Sequence, residues 1–492
     1  MRNYLFTLLA ACALTACGSQ NKEEAQVVPT LEETSLFTCS DAEVEGAYAW
    51  AQKMALSYAH DGSNDAVGPW YEAALPQREA FCMRDVSHQT VGAQVLGLTV
   101  HNKNMMTRFA ENISESKDWC TYWEINRYNK PAPADYLNDK EFWYNLNANF
   151  DVLQACLKLY EWTGDADYLN DPCLTNFYEK SMNEYVAHWQ LDPERIMERP
   201  PYMHQPKPFD PSNNFHTCRG LPSYVENFRG LTVGVDLIAT LQAGMRAYAR
   251  MAELKGDNEA CEKWMEKADT YRELLDTRWW SEADQFYQTF WTTDGKFFRG
   301  EGVPFILWFD ATNREERIRA SVTDILNREW NVENLSAFPA LLYRLGYNRE
   351  ALHFLKMLPK ADRAAYPEVS YGLIEGIACG LMGLCPSASQ GTLGTYPRQA
   401  SEEQTAELRN VPLWEGSVTV SHKGNHATTL SNHTGRDLEW HAAFPGQYAE
   451  IKCDGKTYPA ICRQDINGGY VSECAIQLPA GTTLTAETIN LK

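Results

Sequence analysis

Two glutamates in the sequence combine an acidic side chain with a position near the start of a predicted helix. Glu226 lies shortly before Arg229 and before the helix that carries Asp236. Glu368 follows Pro367 at the start of the last strongly apolar helical stretch. A protonated carboxyl and an ionised carboxylate that face each other across a cavity can give one proton and take another from water. We therefore select Glu226 as the candidate acid and Glu368 as the candidate base.

Another candidate segment precedes the predicted helix 90–99 and contains Arg84, Asp85 and His88. A guanidinium beside a carboxylate offers fixed donors and an acceptor, which suits the recognition of sugar hydroxyl groups. An arginine–aspartate pair at a helix start is equally typical of an N-cap with a nearby salt bridge. The residues alone leave both interpretations open.

Aromatic side chains mixed with polar ones form two further segments, 119–127 and 142–147. Aromatic rings pack on the C–H faces of sugar rings, although the same rings also anchor ordinary hydrophobic cores. Glu124, in the first segment, is a third candidate for the catalytic acid. The candidates for binding a substrate are Arg84, Asp85, His88, Trp123, Trp143, Asn145, Arg219, Tyr224, Arg229 and Tyr371.

The elements that must position these residues are predicted to be paired helices. Helical phrases end at Gly164, Gly256 and Gly346, at nearly equal intervals of about 90 residues, and a new helix starts shortly after each. At about 45 residues for each helical hairpin, the stretch 40–390 has room for about six. Stacked hairpins bury their apolar faces by closing into a toroid or by extending as a solenoid. We predict a mainly α fold, an (α/α)6 toroid of helical hairpins with a pocket at its mouth.

The helical pattern gives way to short alternating stretches of apolar and polar residues after residue 395. Turns rich in Gly, Asn and Asp separate these stretches. They predict a small C-terminal antiparallel β domain at 396–492, which braces the helical body. The catalytic domain is then expected at 39–395.

The first residues contain Arg2, a short apolar stretch and the tetrapeptide Leu-Thr-Ala-Cys that ends at Cys17. This pattern predicts a lipoprotein signal peptide at 1–16, which is removed so that Cys17 becomes lipidated. An ordinary signal peptide with a chance cysteine is the alternative. Residues 17–38 are predicted to be the lipidated cysteine and a flexible tether. We expect an outer-membrane lipoprotein on the periplasmic or the cell-surface face, held to the membrane only by lipid.

The formal net charge of −21 excludes nucleic acid as a partner because a phosphate backbone would be repelled. The cysteines form no CxxC or CxxxC pair, so the sequence contains no visible set of metal ligands. It also contains no nucleotide-binding loop. We therefore expect neither a metal nor a cofactor.

Three motifs resemble the six-hairpin glycosidases, the (α/α)6-barrel enzymes that include glucoamylases, trehalases and α-rhamnosidases. M-R-D at 83–85 resembles the W-x-R-D segment with which glucoamylases hold a sugar. G-V-D-L at 234–237, with Glu226 shortly before it, resembles the segment that supplies the catalytic acid in related barrels. E-V-S-Y at 368–371 lies where these families place the last hairpin and often the base.

The resemblance covers roughly residues 40–390 and implies a hydrolase of O-glycosyl bonds that acts on an oligo- or polysaccharide. Two motifs of the superfamily are missing from the sequence. They are the glucoamylase W-E-E acid segment, unless Trp123-Glu124 stands in for it, and the rhamnosidase D-E-R-x-G-W motif. The chain thus looks like a separate branch, similar to glycosidases of outer-membrane glycan-degrading systems.

The resulting hypothesis is an exo-acting, inverting glycoside hydrolase in which Glu226 protonates the leaving oxygen and Glu368 activates water. Arginines near the expected pocket suggest a uronic acid as the terminal sugar. Two alternatives stay open, a polysaccharide lyase on a similar toroid and a non-catalytic glycan-binding lipoprotein. The candidates for the base of a lyase are His88, His216, Tyr224 and Tyr371.

Overall fold

A computed structural model of the chain describes residues 27–73, 78–200, 218–226 and 230–489. The described residues contain α-helices from four to twenty residues long, apart from one single turn. They are α1 (Ala42–Ser57), α2 (Met83–Val95), α3 (Thr99–Ala110), α4 (Ala148–Thr163), α5 (Asp167–Asn170), α6 (Pro172–Lys180), α7 (Val186–His188), α8 (Val235–Leu254), α9 (Asn258–Leu274), α10 (Val303–Trp308), α11 (Glu315–Leu326), α12 (Val332–Arg344), α13 (Asn348–Met357) and α14 (Pro367–Glu375).

Strands are numerous, and most of the longer ones follow α14. They are β1 (Leu36–Cys39), β2 (Ala59–His60), β3 (Trp70–Tyr71), β4 (Ala80–Cys82), β5 (Glu124–Asn126), β6 (Tyr136–Asn138), β7 (Glu141–Phe142), β8 (Tyr144–Asn145), β9 (Arg219–Leu221), β10 (Leu231–Gly234), β11 (Trp280–Ser281), β12 (Phe286–Tyr287), β13 (Phe290–Thr292), β14 (Phe297–Phe298), β15 (Cys385–Ser387), β16 (Thr392–Thr395), β17 (Thr405–Leu413), β18 (Gly416–Lys423), β19 (Ala427–His433), β20 (Leu438–Pro445), β21 (Glu450–Cys453), β22 (Lys456–Pro459), β23 (Ile461–Gln464), β24 (Tyr470–Leu478) and β25 (Thr483–Thr488).

The helices that matter for the site pack side by side. Helix α2 lies between α4 and α14, α4 also packs on α8, and α14 also packs on α12. These helices are buried over most of their length because apolar residues and small ones such as alanine and glycine cover most of their faces. The more polar helices α9, α11 and α13 expose one face.

Glycines allow α14 to approach two of its neighbours, α2 and α12, closely. A Cβ at Gly92 of α2 would overlap the carbonyl oxygen of Tyr371 on α14. A Cβ at Gly372 of α14 would lie 2.5 Å from the carbonyl oxygen of Ser336 on α12. Backbone therefore packs directly on backbone at both contacts, which fixes the position of the helix that starts beside Glu368.

The three glycines that the sequence singled out do end helices. Gly164, Gly256 and Gly346 have φ values of 68°, 78° and 80° and follow α4, α8 and α12. A left-handed residue at this point stops the helix and turns the chain, and glycine adopts this conformation without a steric penalty.

Two larger sheets form the rest of the chain. The seven-stranded sheet has the order β1-β17-β18-β19-β25-β21-β22, and the five-stranded sheet has the order β15-β16-β20-β24-β23. All neighbours are antiparallel except β16 and β20. Val420 and Leu430 of the first sheet and Trp440 and Ile476 of the second are fully buried and belong to the same hydrophobic core as the helices. None of the described helices is long and apolar enough to cross a membrane.

The prediction of a mainly α fold, an (α/α)6 toroid with a small β domain, is wrong. The structure is 41% helix and 24% strand, it contains large sheets, and the described helices form no closed barrel. The helical periodicity of the sequence did not indicate the short strands between the helices, such as β4, β5, β10 and β13. It also did not indicate that α10 has only six residues. The β part draws on residues before position 396, because β1, β15 and β16 belong to its sheets.

Candidate active site

A cavity of about 260 Å³ lies among α2, α8, α10, α12 and α14. We call it the central cavity. Acidic side chains dominate its polar wall, with one arginine and one histidine, while α10 supplies an aromatic wall. The lining residues are Arg84, His88, Tyr224, Val225, Glu226, Asp236, Glu301, Gly302, Pro304, Phe305, Trp308, Asn331, Glu333, Asn334, Ala337, Leu341 and Glu368.

Arg84 enters the cavity from the first turn of α2. The helix starts directly after β4, whose pairing with β5 fixes the entry of the chain. The guanidinium Nε donates to Asp85 Oδ1 at 3.1 Å, and Nη1 lies 3.7 Å from Glu226 Oε1. It also lies over the ring of Tyr224, 5.8 Å from the centroid. Burial alone would lower the pKa of Arg84, but the carboxylates of Asp85 and Glu226 raise it well above its usual value.

Asp85 accepts a hydrogen bond from Arg84 outside the cavity lining. Its carboxylate is buried, accepts a hydrogen bond from Tyr366 Oη at 2.8 Å, and is not among the groups that line the central cavity. Arg84 and Asp85, the pair predicted to hold a sugar, therefore have different roles. Arg84 faces the cavity, and Asp85 orients the guanidinium.

His88 lies one turn further along α2 and bridges two carboxylates. Its Nδ1 lies 3.3 Å from Glu368 Oε1, and its Nε2 lies 3.7 Å from Asp151 Oδ1. Burial by itself lowers the pKa of His88, but the interactions with Asp151 and Glu368 outweigh burial and raise it to about 9. His88 is consequently an imidazolium at neutral pH, next to Glu368.

Glu368 lies in the first turn of α14, which begins with Pro367, a residue that favours helix starts. The side chain is buried, with 6% of its surface exposed. Its Oε2 has no hydrogen-bond partner within the described part of the chain. Burial, followed by the charge of Asp85, raises the pKa of Glu368 to about 7, and His88 opposes this rise. The group can therefore accept a proton near neutral pH.

Glu226 lies near Nη1 of Arg84, whereas Asp85 accepts from Nε, and a third of the side-chain surface of Glu226, 33%, is exposed. Burial by the surrounding protein raises its pKa, and Arg84 limits the rise. The segment before it is held by Asp236 of α8, which accepts hydrogen bonds from Ser223 Oγ at 2.8 Å and from the Tyr224 amide at 2.6 Å. Glu226 thus has the raised pKa and the partial access that suit a proton donor.

Tyr224 contacts both an acidic residue of α4 and the aromatic wall of the cavity. Its hydroxyl donates to Asp151 Oδ1 at 2.6 Å, and its ring lies 4.4 Å from that of Phe305 on α10. Asp151 on α4 therefore contacts both Tyr224 and His88 without lining the cavity itself. The structure thus brings together Arg84, His88, Tyr224, Glu226 and Glu368 around one space.

Other residues selected from the sequence lie away from the central cavity. Glu124 is buried beside Arg78, at 2.7 Å, and is not part of the lining. Arg219 pairs with Asp118 instead of facing the cavity. Tyr371 donates its hydroxyl to the Ala55 carbonyl at 3.0 Å.

Two aromatic candidates support the lining without forming it. Trp123 packs under the Arg84 guanidinium, 5.9 Å from the ring centroid. Trp143 donates to Asn145 Oδ1 at 3.2 Å, and Asn145 donates to the Ser223 carbonyl at 2.5 Å. The candidates Arg229, His216 and Cys17 lie outside the described residues.

Several residues that line the central cavity or contact its lining were missed in the sequence. Asp151 carried a signal, since an acidic residue on the buried face of an apolar helix needs a partner. Glu333 also carried one, because it follows the N-cap Asn331 at the start of α12. Glu301 and Phe305 had none, because they lie around a short helix that the periodicity did not reveal.

The sequence matches no protein-family model and no curated protein. The fold is similar to solved structures, among them a GH78 family rhamnosidase of Bacillus sp. GL1 with a TM-score of 0.56 and 12% identity, covering 81% of this chain and 40% of that one. An α-L-rhamnosidase from Dictyoglumus thermophilum has a TM-score of 0.58 and 11% identity, covering 92% and 50%. A structure described as a sialidase has a TM-score of 0.53 and 12% identity, covering 93% and 42%.

The chain thus spans half or less of the length of these three structures. At such identities the likeness concerns the fold. At that level it confirms the resemblance to the six-hairpin glycosidases that the sequence motifs indicated.

Proposed function

We propose that this protein is a glycoside hydrolase whose central cavity binds a terminal sugar. One observation carries the proposal above the others. Two carboxylic acids from distant parts of the sequence line the same cavity, Glu226 next to Arg84 and Glu368 next to His88. The similarity of fold to rhamnosidases supports the same class of reaction.

In this proposal Glu226 is the acid and Glu368 is the base. Glu226 gives its proton to the glycosidic oxygen as the bond between that oxygen and the anomeric carbon breaks. Glu368 takes a proton from water, whose oxygen bonds to the anomeric carbon from the other face. The Oε2 of Glu368 has no hydrogen-bond partner among the residues that the structure describes, which leaves an acceptor for this water. This arrangement is that of an inverting enzyme.

The size and charge of the cavity bear on the substrate. A volume of about 260 Å³ is small for a ligand pocket and fits one terminal unit better than a chain, which supports exo action. A uronic acid is the less favourable choice, because Glu301 and Glu333 add negative charge to the wall while Arg84 is already paired. We propose a neutral terminal sugar.

The proposed domain organisation and location rest on the sequence. A signal peptide at 1–16, a lipidated Cys17 and a tether that ends before β1 (Leu36–Cys39) would hold the catalytic part on the outer membrane, on its periplasmic or cell-surface face. The N-terminal segment up to residue 26 lies outside the described residues.

A screen of aryl glycosides tests the function directly. We expect release of the aryl group from a neutral glycoside, and a loss of at least a hundredfold in both Glu226→Gln and Glu368→Gln. Glu450→Gln, an exposed position on β21, is the matched control and should keep full activity. Proton NMR during turnover should show the product anomer opposite to that of the substrate.

Two outcomes would overturn the proposal. An unsaturated product that absorbs in the near ultraviolet would identify a lyase. Glycan binding without any product after long incubation would identify a binding protein.

A further inference from the structure

A second and larger cavity lies where the helices meet the five-stranded sheet. Its volume is about 720 Å³, within the range of ordinary ligand pockets. We call it the junction cavity. Its walls are the turn after α12, the chain around Gly383, and strands β15, β16, β20, β23 and β24. None of its lining residues belongs to the central cavity.

Arg398 lies in the wall of the junction cavity and pairs with no acidic side chain of the described chain. No carboxylate lies within ion-pair distance of it among the residues that the structure describes. Its guanidinium stacks over Tyr396, 4.4 Å from the ring centroid, and Nη1 donates to the Gly380 carbonyl at 2.5 Å. Its Nε is buried and makes no hydrogen bond to the described residues. A guanidinium in such a setting is costly, and an anion beside it would offset that cost.

Most of the other charged side chains in the wall of the junction cavity form ion pairs with described residues. Asp310 pairs with Arg344 at 3.2 Å. Glu473 lies 3.1 Å from His441 Nδ1 and 3.8 Å from Arg463. Asp465, also in the wall, forms no ion pair with the described residues, and its Oδ1 accepts hydrogen bonds from the backbone amides of Asn467 and Gly469 at 2.9 and 2.8 Å. Among the described cationic side chains of the wall, Arg398 is thus the one without an ion-pair partner.

The surroundings of Arg398 favour a negatively charged ligand. Tyr343 is fully buried, lines the same cavity, and its hydroxyl has no partner in the described structure. Burial lowers the pKa of Arg398 to about 10, so the side chain remains a cation at neutral pH. The ionisable side chains that oppose this lowering are those of Tyr396, Tyr343, Cys379 and Cys385, and they do so only when ionised, which they are not at neutral pH.

We propose that the junction cavity is a second binding site, which takes a sugar-sized ligand carrying one carboxylate or sulfate group beside the Arg398 guanidinium. Planar arginine binds both oxyanions through paired N–H donors, so the two share one chemistry. The proposal does not depend on hydrolysis in the central cavity. The two sites differ in charge, because carboxylates outnumber cationic side chains in the wall of the central cavity, whereas the wall of the junction cavity contains an arginine without an ion-pair partner among the described residues.

Calorimetric titration of the mature protein with sodium glucuronate, glucose and sodium sulfate, at constant ionic strength, tests the site. We expect glucuronate to bind, sulfate to compete with it, and glucose to bind at least about tenfold more weakly. Competition by sulfate would show that the oxyanion is sufficient. Binding of glucuronate without such competition would show that the site needs the sugar carboxylate.

Variants assign the binding to this cavity. Arg398→Met should weaken glucuronate binding at least about tenfold. Arg84→Met removes the arginine of the central cavity and is the matched control, with an affinity within about twofold of the parent. Loss of binding in Arg84→Met, with Arg398→Met unaffected, would overturn the proposal.

A second pair of variants covers the case in which Arg398→Met fails to fold. Cys385 is exposed on β15 and lies close enough to Arg398 that an ionised group at this position would interact with the guanidinium. Cys385→Asp should place a carboxylate beside the guanidinium and abolish glucuronate binding, whereas Cys385→Ser should not. Equal affinities for these two variants would contradict the site.

Discussion

At the scale of single residues, positive and negative side chains alternate in the wall of the central cavity and next to it. Asp85, Arg84 and Glu226 form one series, and Asp151, His88 and Glu368 form the other. Each cation lies between two acids. Because a neighbouring charge shifts the pKa of a carboxyl group by one unit or more, the cations decide which acid stays protonated.

Removal of the imidazolium should shift the pH dependence of activity. His88 opposes the rise in the pKa of Glu368, which is about 7. A base must be ionised, so kcat/KM should fall as the pH drops below that pKa. In His88→Gln the pKa of Glu368 rises further, and the acidic limb of the profile should move to higher pH. A pH profile of kcat/KM on an aryl glycoside measures the shift.

Removal of the neighbouring carboxylate should shift the same limb in the other direction. Asp85 raises the pKa of Glu368, so Asp85→Asn should move the limb to lower pH, besides weakening the hold on Arg84. Opposite displacements in the two variants would be hard to obtain from a general loss of structure. If both limbs coincide with that of the parent protein, Glu368 is not the group that titrates.

The sequence could indicate the acidic residues of the site but not the residues that contact the site and shift its pKa values. Glu226, Glu368, Arg84 and His88 lay beside helix starts, where a local pattern identifies them. The partners that tune them, Asp151 above all, come from another helix. Arg219 looked similar to Arg84 in the sequence, yet it pairs with Asp118. No local pattern distinguishes these two outcomes, because the partner lies about a hundred residues away.

At the scale of elements, the contact between α2 and α14 matters most, since these helices carry Arg84, His88 and Glu368. Gly92 permits the contact because a Cβ there would overlap the Tyr371 carbonyl. The helical elements themselves were predictable from their periodicity. The short α10 and the strands between helices were not, because two to six residues are too few to show a period.

Gly92→Ala should destabilise the protein and lower its activity together. The added methyl group meets backbone, which cannot move aside, so we expect a loss of about 1–3 kcal/mol in the free energy of unfolding. Gly46→Ala on α1 is the matched control. Nothing lies within 4 Å of its Cβ, and a helical alanine should add about 0.5–1 kcal/mol. Urea unfolding measures both, and equal effects would contradict the tight contact.

At the scale of the whole molecule, the sequence predicted too little β structure. The alternating stretches after residue 395 indicated strands correctly but not their extent. The sheets also take in β1 from the start of the described chain and β15 and β16 before residue 396. Such long-range pairing has no local signature, since β1 finds its partner β17 more than three hundred residues away.

The proposed membrane attachment is also tested on the whole chain. Cys17 should carry the lipid, so the parent protein expressed in a bacterium should incorporate labelled palmitate and remain with the membrane fraction. Cys17→Ser should lose the label and appear in the soluble fraction, with the specific activity unchanged. Membrane retention of the serine variant would show that another segment anchors the protein.

The division of labour between the two glutamates is tested most directly by changing the leaving group. A glycosyl fluoride needs little protonation to depart, whereas an alkyl glycoside needs an acid. Glu226→Gln should therefore lose about a hundredfold or more on the alkyl glycoside but remain within about tenfold of the parent on the fluoride, while Glu368→Gln should lose both activities. Equal losses on the two substrates in Glu226→Gln would contradict its role as the acid.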